Sequence, residues 1–401
     1  MFVTAPSLLR GIGSLPNVEN QTARPRSVYL DHAASTTMHP QAIEATAHYL
    51  AAGFANPSGS HGPAREARKV IDEARDLVAG VIGCLPGEIV FNSGGTEGAN
   101  NAVTGAVKSR AGTAVCSAAE HHAVLHCVEH AGGTVVPVTG TGVIDIDALE
   151  QSLRMLPDVA VVSVMAVNNE TGAVTDMQAV AHVVRRHAPG AVLHTDAVQA
   201  ASWVDLSTLW PLVDVLTLSA HKFGGPKGAG VMAVREGTAL EPLVLGGGQE
   251  RDRRSGTQNV AGIAGTAVAL AVTDAERAET TSRVAALRRR LVDGVIPAVP
   301  CATETMPGSV PGIAHLCFRG LESESLLFLL DEQGVSVSAA SACASGAMEP
   351  SHVLAAMGIP ADRMMGSVRF SLGHDTTEED IDAAVAATVA AAGRLSGGGR
   401  S

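Results

Sequence analysis

One lysine of this chain stands where it could attack a carbonyl carbon. The 401 residues include 24 arginines but only four lysines, at Lys69, Lys108, Lys222 and Lys227. Lys222 follows the predicted strand Val213–Leu218 and precedes a Gly/Pro turn. Because ligands of parallel α/β sheets bind beyond the carboxyl ends of the strands, a lysine there suits Schiff-base chemistry, in which a deprotonated amine attacks a carbonyl. The alternative is a turn lysine that points into water.

An acidic side chain ends the preceding predicted strand. Asp196 closes the run Val192–Thr195, and a carboxylate at a dry strand end is costly unless it meets a cation. The protonated ring nitrogen of a pyridine cofactor would be such a partner, and Gln199 could donate to a phenolic oxygen of the same ring. The alternative for Asp196 is a helix N-cap.

A glycine-rich turn between a strand and a helix could bind a phosphate. The segment Asn92-Ser-Gly-Gly-Thr-Glu follows the predicted strand Glu88–Phe91 and opens the predicted helix Glu97–Lys108. Glycines let backbone N–H groups approach an anion, the helix N-terminus attracts it, and the Thr96 hydroxyl adds a donor. The segment matches neither a dinucleotide fingerprint nor a Walker A sequence, so a plain capping turn is the alternative.

Three histidines lie together in Glu120-His121-His122-Ala-Val-Leu-His126. His122 and His126 would share a helix face, but H-E-x-x-H is missing and no third ligand follows nearby, so we expect no metal site. His121, at the start of the helix, could instead lay its imidazole ring on an aromatic cofactor.

One cysteine has the surroundings of a nucleophile. Cys343 lies in Ser338-Ala-Ala-Ser-Ala-Cys-Ala-Ser-Gly, among small residues and between a predicted strand and a predicted helix. Such a site suits a reactive thiolate, and an incidental surface thiol is the alternative. The other five cysteines lie in apolar segments or connections and are expected to be inert: Cys84, Cys116, Cys127, Cys301 and Cys317. No C-x-x-C pair occurs, which excludes a zinc ribbon or thioredoxin-like motif.

The elements that must position these residues alternate between strand and helix. Short apolar runs and helix-period segments follow one another from about residue 28 to 275, which predicts an α/β domain with a mostly parallel sheet. The predicted strands are Val28–Leu30, Glu88–Phe91, Ala114–Cys116, Thr134–Val138, Val159–Val167, Val192–Thr195, Val213–Leu218 and Gly230–Val234. The helices between them include Ala64–Val81, Glu97–Lys108 and Met177–His187.

After Gly256 the pattern predicts a smaller α+β unit. It begins with one or two helices from Asn259 to about Val292. Strands are predicted at His315–Phe318, Val335–Ser338 and Val368–Ser371, and helices at Glu322–Gln333, near Pro350–Met357 and at Thr377–Arg394. We therefore expect a tail and lead-in at residues 1–28, a large domain at 29–275 and a small domain at 276–401 that carries Cys343.

Composition excludes several classes of function. A hydrophobic fraction of 46% with 17% charged residues excludes global disorder. A formal net charge of -12 and only 3% aromatic residues argue against nucleic acid or an anionic membrane as a direct partner. No apolar stretch approaches the ~18 residues of a membrane helix, and the first residues lack the pattern of a secretory signal. Reduced thiols and a cytoplasmic location are expected.

Ten short strings in order along the chain resemble the NifS/IscS-type cysteine desulfurases. These belong to the class V aminotransferases among the fold-type I pyridoxal-phosphate enzymes. The strings are Asn56-Pro-Ser, Ser93-Gly-Gly-Thr-Glu, Glu120-His-His-Ala-Val, Val167-Asn-Asn-Glu-Thr-Gly, Thr195-Asp-Ala-Val-Gln, Ser219-Ala-His-Lys, Gly225-Pro-Lys-Gly, Arg254-Ser-Gly-Thr, Ser341-Ala-Cys and Val368-Arg-Phe-Ser-Leu-Gly. The resemblance implies a large domain built on a mostly parallel seven-stranded sheet, which binds pyridoxal 5'-phosphate, and a smaller α+β domain.

The resemblance also implies residue roles. Lys222 would bind the cofactor covalently and act as a catalytic base, His121 would stack on the ring, and Cys343 would receive the sulfur. The remaining cofactor residues would be Gly95, Thr96, Asn169, Asp196, Gln199, Ser219, His221 and Thr257, the last reaching the phosphate from the partner subunit of a homodimer. Substrate would be held by Asn56, Asn169 and Arg369. In the phosphate segment Gly95 stands where the family usually has alanine.

The implied activity is removal of sulfur from L-cysteine, which gives L-alanine and a persulfide on Cys343. The alternatives are a selenocysteine lyase, another class V aminotransferase-like enzyme, or an inactive binding protein that keeps the fold. No resident metal is expected, although Cys343 could contact an iron–sulfur cluster during transfer. The sulfur acceptor would be a protein, with an iron–sulfur scaffold, a thiolation protein or a DNA-sulfur-modification system as candidates.

Overall fold

The computed structural model describes residues 27–51, 53–339 and 350–397. Its strands in chain order are β1 (Val28–Tyr29), β2 (Ile89–Asn92), β3 (Thr113–Ser117), β4 (Thr134–Val136), β5 (Val159–Ser163), β6 (Val192–Asp196), β7 (Val215–Ser219), β8 (Gly230–Val234), β9 (Ala302–Glu304), β10 (Ile313–Phe318), β11 (Val335–Ser336) and β12 (Ser367–Ser371). Its α-helices are α1 (Pro40–Ala51), α2 (Gly62–Ile82), α3 (Gly95–Ser109), α4 (His122–His130), α5 (Ile146–Met155), α6 (Met177–His187), α7 (Leu206–Leu209), α8 (Val260–Val295), α9 (Ser323–Glu332), α10 (His352–Ala356), α11 (Ala361–Met364) and α12 (Glu378–Gly397).

A seven-stranded sheet forms the centre of the larger part, in the order β2-β8-β7-β6-β5-β3-β4. All neighbours are parallel except β8, which runs antiparallel to both β7 and β2. Every residue of β5, β7 and β8 is buried. Since successive side chains of a strand point to opposite faces, the sheet is covered on both sides, and the mostly parallel seven-stranded sheet expected from the sequence is confirmed.

One predicted strand is shorter than expected. The apolar run Val159–Val167 predicts a strand of that length, but β5 ends at Ser163. Beyond it the backbone N–H of Met165 donates to the Glu120 carboxyl group at 2.7 Å instead of to a neighbouring strand. Burial therefore continues past the strand while its pairing with β3 stops, although the N–H groups of Val164 and Ala166 still donate to His194 and Asp196 of β6 at 3.0 Å.

The smaller part is built on antiparallel strands. β10 lies between β12 and β9 in a three-stranded sheet, and β1 pairs in parallel with β11. Their core joins residues from both ends of the chain, with Val28 and Leu30 packed into the same cluster as Leu326, Phe370 and Ile381. The smaller α+β unit is therefore present, and β1 lies with it. The domain limits at residues 28 and 275 stay predictions.

One long helix connects the two parts. α8 is a single helix of 36 residues, where the sequence predicted one or two. It contacts α1, α2 and α12, so that its ends belong to different hydrophobic cores. Among the described residues, none of the helices has the length and apolar character needed to cross a bilayer.

Candidate active site

A cavity of about 700 Å³ opens at the carboxyl ends of the parallel strands. Strand ends of α/β sheets are where such folds place ligands, because loops from several strands converge there. Ten of the residues predicted from the sequence line this one cavity: Gly95, Thr96, His121, Asn169, Asp196, Gln199, Ser219, His221, Lys222 and Arg369. The chain thus brings together groups separated by up to 274 positions in the sequence.

Lys222 is held at the cavity by the turn that follows β7. A short 3₁₀ turn over Ala220–Lys222 carries it past the strand end, and its Nζ donates to the carbonyl oxygens of Ala33 at 2.5 Å and Ala34 at 2.9 Å. Burial, helped by the Arg369 charge, lowers the pKa of Lys222 to about 8. Part of the amine is therefore unprotonated near neutral pH, which is the form that attacks a carbonyl.

Asp196 is the last residue of β6 and is buried. Its Oδ1 accepts the backbone N–H of Val198 at 2.9 Å. Burial raises the pKa of Asp196 to about 6, against the opposing effects of that hydrogen bond and of Lys222. A carboxylate in this position gains most from a buried cation placed against it, as the sequence predicted. The bond to Val198 shows that Asp196 also satisfies the backbone of its own turn.

The pKa of Asp196 predicts a pH-dependent instability of the cofactor-free protein. In the unfolded chain this carboxyl titrates near 3.8 and in the folded chain near 6. The folded state therefore binds the extra proton between these values, and its stability falls as pH rises through that interval, by about 3 kcal/mol in total.

The matching variant is Asp196→Asn, which keeps the acceptor for Val198 but cannot ionise. We expect it to be more stable than wild type at about pH 8, with the difference vanishing towards about pH 4. Urea unfolding of both proteins over this range measures it. Equal stability at the upper pH would contradict the buried charge.

Gln199 shares an acceptor with Lys222. Its Nε2 donates to the Ala33 carbonyl oxygen at 2.7 Å, so that one backbone oxygen from the N-terminal segment orients two site side chains. The Gln199 side chain lines the same cavity, and its amide lies beside the Lys222 amine at the shared Ala33 oxygen.

His121 forms the N-cap of α4. Its Nδ1 accepts the backbone N–H of Ala123 at 3.1 Å, which places the ring proton on Nε2. Burial, followed by the charge of Lys222, lowers the pKa of His121. A neutral imidazole with one face open to the cavity is suited to stack on an aromatic ring.

The glycines of this turn allow close packing at the N-terminus of α3. Gly94 has a φ of 148°, and a Cβ there would lie 3.4 Å from Ser219 Oγ. At Gly95 a Cβ would come within 2.6 Å of Val198 Cγ2, a separation that real Cβ atoms do not adopt. Gly95 thus makes room for Val198, which accounts for glycine where the resembled family usually has alanine.

Other donors surround the space at the α3 N-terminus. Thr96, Ser219 and His221 line the same cavity. His221 shares a hydrogen bond of 3.3 Å with Ser35 Oγ, and burial, helped by the neighbouring lysines, lowers its pKa to about 4. Hydroxyl groups, a neutral imidazole and helix N–H groups are together a donor set for an anion.

Arg369 enters the cavity from β12 of the smaller part. Its Nη1 donates to the Asn169 carbonyl oxygen at 2.7 Å, and its Nη2 donates to Asp31 Oδ1 at 2.8 Å. The side chain is buried, and its Nε has no hydrogen-bond partner among the described residues. Because Nη1 and Nη2 each carry a second N–H, the guanidinium at the cavity keeps donors for a carboxylate ligand.

Three predicted site residues lie elsewhere. Asn56 is exposed, with its Oδ1 accepting the backbone N–H of Ser58 at 3.0 Å, and it does not line the cavity. Thr257 is also exposed and outside the cavity of its own chain. Cys343 lies outside the described residues, so its prediction is not tested by the geometry.

Several groups at the site carried no clear signal in the sequence. The carbonyl oxygens of Ala33 and Ala34 orient Lys222, and Asp31 pairs with Arg369. Backbone acceptors cannot be read from residue type. The sequence alone did not indicate what Asp31 and Ala33 contact.

The histidine rings of α4 stack on one another. The rings of His122 and His126 stack with centroids 4.7 Å apart, and the ring of His352 lies 4.5 Å from that of His122. Stacked rings direct their nitrogens past one another instead of at one point. In the part of the chain that the structure describes, no group of three or more His, Cys, Asp or Glu side chains is placed to bind a metal ion.

Comparisons with known proteins agree with this geometry. The family model described as aminotransferase class-V matches residues 28–384. An IscS-like cysteine desulfurase of Mycobacterium tuberculosis is 41% identical over 89% of this chain and 94% of its own, and a cysteine desulfurase IscS of Dictyoglomus turgidum is 39% identical over 89% and 92%. The solved structure of a NifS-like protein superposes with a TM-score of 0.84 at 33% identity, covering 92% of this chain and 99% of its own.

Proposed function

The chain belongs to the aminotransferase class-V family, and from this membership we propose how its residues carry out the reaction of a cysteine desulfurase. The chain is a cysteine desulfurase: relatives that carry this name are 36–41% identical to it over about nine-tenths of its length. The observation that carries the proposal is that Lys222, with its lowered pKa, faces Asp196, His121 and Arg369 across one cavity.

The cavity residues fit pyridoxal 5'-phosphate, on which this family depends. The N-terminus of α3 at Gly94 and Gly95, which line the cavity with the Thr96 and Ser219 hydroxyls, suits the phosphate. The buried carboxylate of Asp196 suits the protonated ring nitrogen, whose positive charge would balance it. Each chemical group of the cofactor would therefore meet a residue of matching charge or shape.

Further residues would complete the fit. His121 would hold the ring face, Gln199 the ring hydroxyl, Lys222 the aldehyde carbon and His221 the phosphate. Asn169 and the Arg369 guanidinium would bind the substrate carboxylate, since Nη1 and Nη2 each use only one of their two N–H groups in the bonds to Asn169 and Asp31. Asn56 does not line the cavity of its own chain, so the substrate-binding role implied for it would require it to reach another cavity.

When bound, the cofactor supplies an electrophilic carbon for the substrate amino group and a cationic ring that withdraws electrons from the substrate Cα. Lys222 then acts as the base that takes the proton from Cα, a role for which its pKa of about 8 is suited near neutral pH. Asp196 keeps the ring nitrogen protonated. Arg369 fixes the carboxylate so that the Cα–H bond points towards the lysine.

Cys343, which lies outside the described residues, would carry out the sulfur transfer. Its thiolate attacks the substrate sulfur, a new S–S bond forms, and the Cβ–S bond breaks with its electron pair remaining on carbon. Protonation of that carbon fragment gives alanine. L-cysteine and the Cys343 thiol thus become L-alanine and a Cys343 persulfide, with no outside oxidant, and the persulfide sulfur passes to an acceptor protein.

A homodimer would complete the site. Thr257 is exposed and lies outside its own cavity, which fits a residue that serves a partner subunit. The nearby loop exposes three consecutive apolar side chains, Leu243, Val244 and Leu245, the last of them 80% exposed. Such a patch is typical of a protein interface. A monomeric mass in light scattering would contradict the dimer. We also propose a cytoplasmic location, where the thiols stay reduced.

The function is tested by incubating the purified protein with pyridoxal phosphate and L-cysteine and measuring alanine. Alanine formation that requires both supports the proposal. Protein that binds the cofactor but releases no alanine would contradict the desulfurase assignment.

Asp196→Ala should slow removal of the Cα proton by at least ~10²-fold, because a positioned charge partner of the cofactor ring is lost. Binding of the cofactor should weaken less, since the phosphate contacts remain. Exchange of the Cα proton of L-alanine into deuterated water isolates this step, and Asp145→Ala, at a helix cap remote from the cavity, is the control. Full exchange in the Asp196 variant at saturating cofactor would rule out the role.

A further inference from the structure

A carboxylate lies in the wall of the cavity where the phosphate is expected. Glu97 stands in the first turn of α3 and lines the cavity together with Ser93, Gly95 and Thr96. Its Oε2 accepts the backbone N–H of Ser93 at 3.0 Å. Negative charge at a helix N-terminus is favourable by itself. Here, however, the Glu97 carboxylate would compete with a phosphate for the positive end of the helix dipole and for the N–H groups.

Arg254 pairs with this carboxylate. Its Nε donates to Glu97 Oε1 at 2.8 Å and its Nη2 donates to Oε2 at 3.2 Å. Burial acts to raise the pKa of Glu97, but hydrogen bonds from Arg254 and Ser93 outweigh it and hold that pKa below its ordinary value. The Arg254 side chain is only 26% exposed and that of Glu97 only 15%. Solvent therefore screens this ion pair less than it would screen an exposed one.

The loop that carries Arg254 is firmly anchored beside the phosphate segment. Glu250 forms a buried, bidentate ion pair with Arg75, at 2.9 Å for both contacts, and accepts the backbone N–H of Phe91 at 2.9 Å. Phe91 belongs to β2, the strand that leads directly into Ser93. Glu250 is also the first of three consecutive non-glycine residues with left-handed backbone, at φ values of 49°, 57° and 63°. Such strain persists only where the surroundings fix the conformation.

We propose that Arg254 is a positioning residue for the cofactor phosphate. It cancels the charge of Glu97 and keeps that side chain turned to the Ser93 N–H, so that the α3 N-terminus and Thr96 remain available to a phosphate dianion. Nothing in this role needs Arg254 to touch the phosphate. The inference rests on the proposed function, because it presumes that the phosphate of pyridoxal 5'-phosphate binds at this end of the cavity.

The test compares ligands with and without a phosphate. Full-length protein stripped of cofactor is titrated with pyridoxal 5'-phosphate and with pyridoxal, following the absorbance of the bound ligand. Arg254→Gln should weaken binding of pyridoxal phosphate by about tenfold or more, because an unpaired carboxylate then faces the dianion in a partly buried site. The affinity for pyridoxal should stay within about threefold of wild type.

A second variant separates charge from structural damage. Adding Glu97→Gln to Arg254→Gln removes the uncompensated charge while leaving the loop without its arginine. We expect this double variant to recover most of the affinity for pyridoxal phosphate. Arg290→Gln, which removes an arginine from exposed ion pairs with Glu378 and Asp382, is the matched control and should bind both ligands as wild type does.

The possible failures are distinguishable. The inference would be overturned if wild type and Arg254→Gln showed the same ratio of affinities for pyridoxal phosphate and pyridoxal. It would also be overturned if the double variant bound pyridoxal phosphate no more tightly than Arg254→Gln does. Either result would leave the proposed cofactor site intact. If wild-type protein bound pyridoxal phosphate no better than pyridoxal, the proposed phosphate site would itself be wrong, and the inference would fall with it.

Discussion

Replacing Lys222 with alanine should reduce alanine release from L-cysteine by about 10³-fold or more, since covalent attachment of the cofactor and the base at Cα are lost together. Lys222 lines the cavity, and two backbone carbonyl oxygens hold its amine there. Its pKa of about 8 makes the amine reactive near neutral pH. The measurement is alanine formed per protein at saturating L-cysteine and cofactor.

The matched control is Lys108→Ala, which removes an exposed lysine at the far end of α3. It should keep wild-type turnover. The Lys222 variant should still fold, because its side chain contributes two hydrogen bonds to backbone oxygens at the edge of an open cavity. A Lys222→Ala protein that turns over L-cysteine at the wild-type rate would contradict the assignment of the catalytic lysine.

Cys343→Ser should stop alanine formation while cofactor and L-cysteine still bind. A hydroxyl is nearly the size of a thiol but is a far poorer nucleophile towards sulfur. Wild type incubated with L-cysteine should gain one sulfur on the peptide that contains Cys343, seen as a mass increment that a reducing thiol removes. The serine variant should show no such increment on that peptide.

Four of the five described cysteines are poor candidates for the role of Cys343. Burial raises the pKa of the thiols of Cys84, Cys116, Cys127 and Cys317, that of Cys84 to about 12. Few of these thiols are ionised at neutral pH, and the thiolate is the reactive form. Serine replacement of Cys84 or Cys127 should therefore leave turnover unchanged. A sulfur increment on one of the described cysteines, with none on Cys343, would overturn the sulfur-transfer step but not the cofactor site.

The positions of Asp196 and Lys222 could be predicted because they depend on local order in the chain. Each ends or follows a buried parallel strand, and the carboxyl ends of such strands meet at one edge of the sheet. The pairing of β6 with β7 puts Asp196 opposite Thr217, two residues before the end of β7. Period and strand order were enough to expect the two side chains in one cavity.

The surroundings of these residues could not be predicted in the same way. The oxygens that orient Lys222 belong to Ala33 and Ala34, nearly 190 positions away. Backbone acceptors leave no trace in residue type, and their contacts depend on how the N-terminal segment crosses the cavity. The early end of β5 is a similar case, because hydrophobicity marks burial and not the loss of strand pairing.

The role of Arg254 shows a third limit of sequence reasoning. Arg254-Ser-Gly-Thr contributes to the family resemblance, yet the partner of its arginine, Glu97, lies 157 positions away in another element. The sequence predicts a phosphate site at the glycine-rich turn without indicating that a carboxylate, Glu97, lies beside it. Only the folded arrangement reveals a charge that must be neutralised.

Borohydride reduction locates the lysine that binds the cofactor. The yellow protein reconstituted with pyridoxal phosphate is reduced with borohydride and digested, and its four lysine-containing regions are compared by mass. We expect loss of the colour and a stable pyridoxyl adduct on the peptide that contains Lys222. An adduct confined to Lys69, Lys108 or Lys227, or no adduct on a protein that remains active, would contradict it.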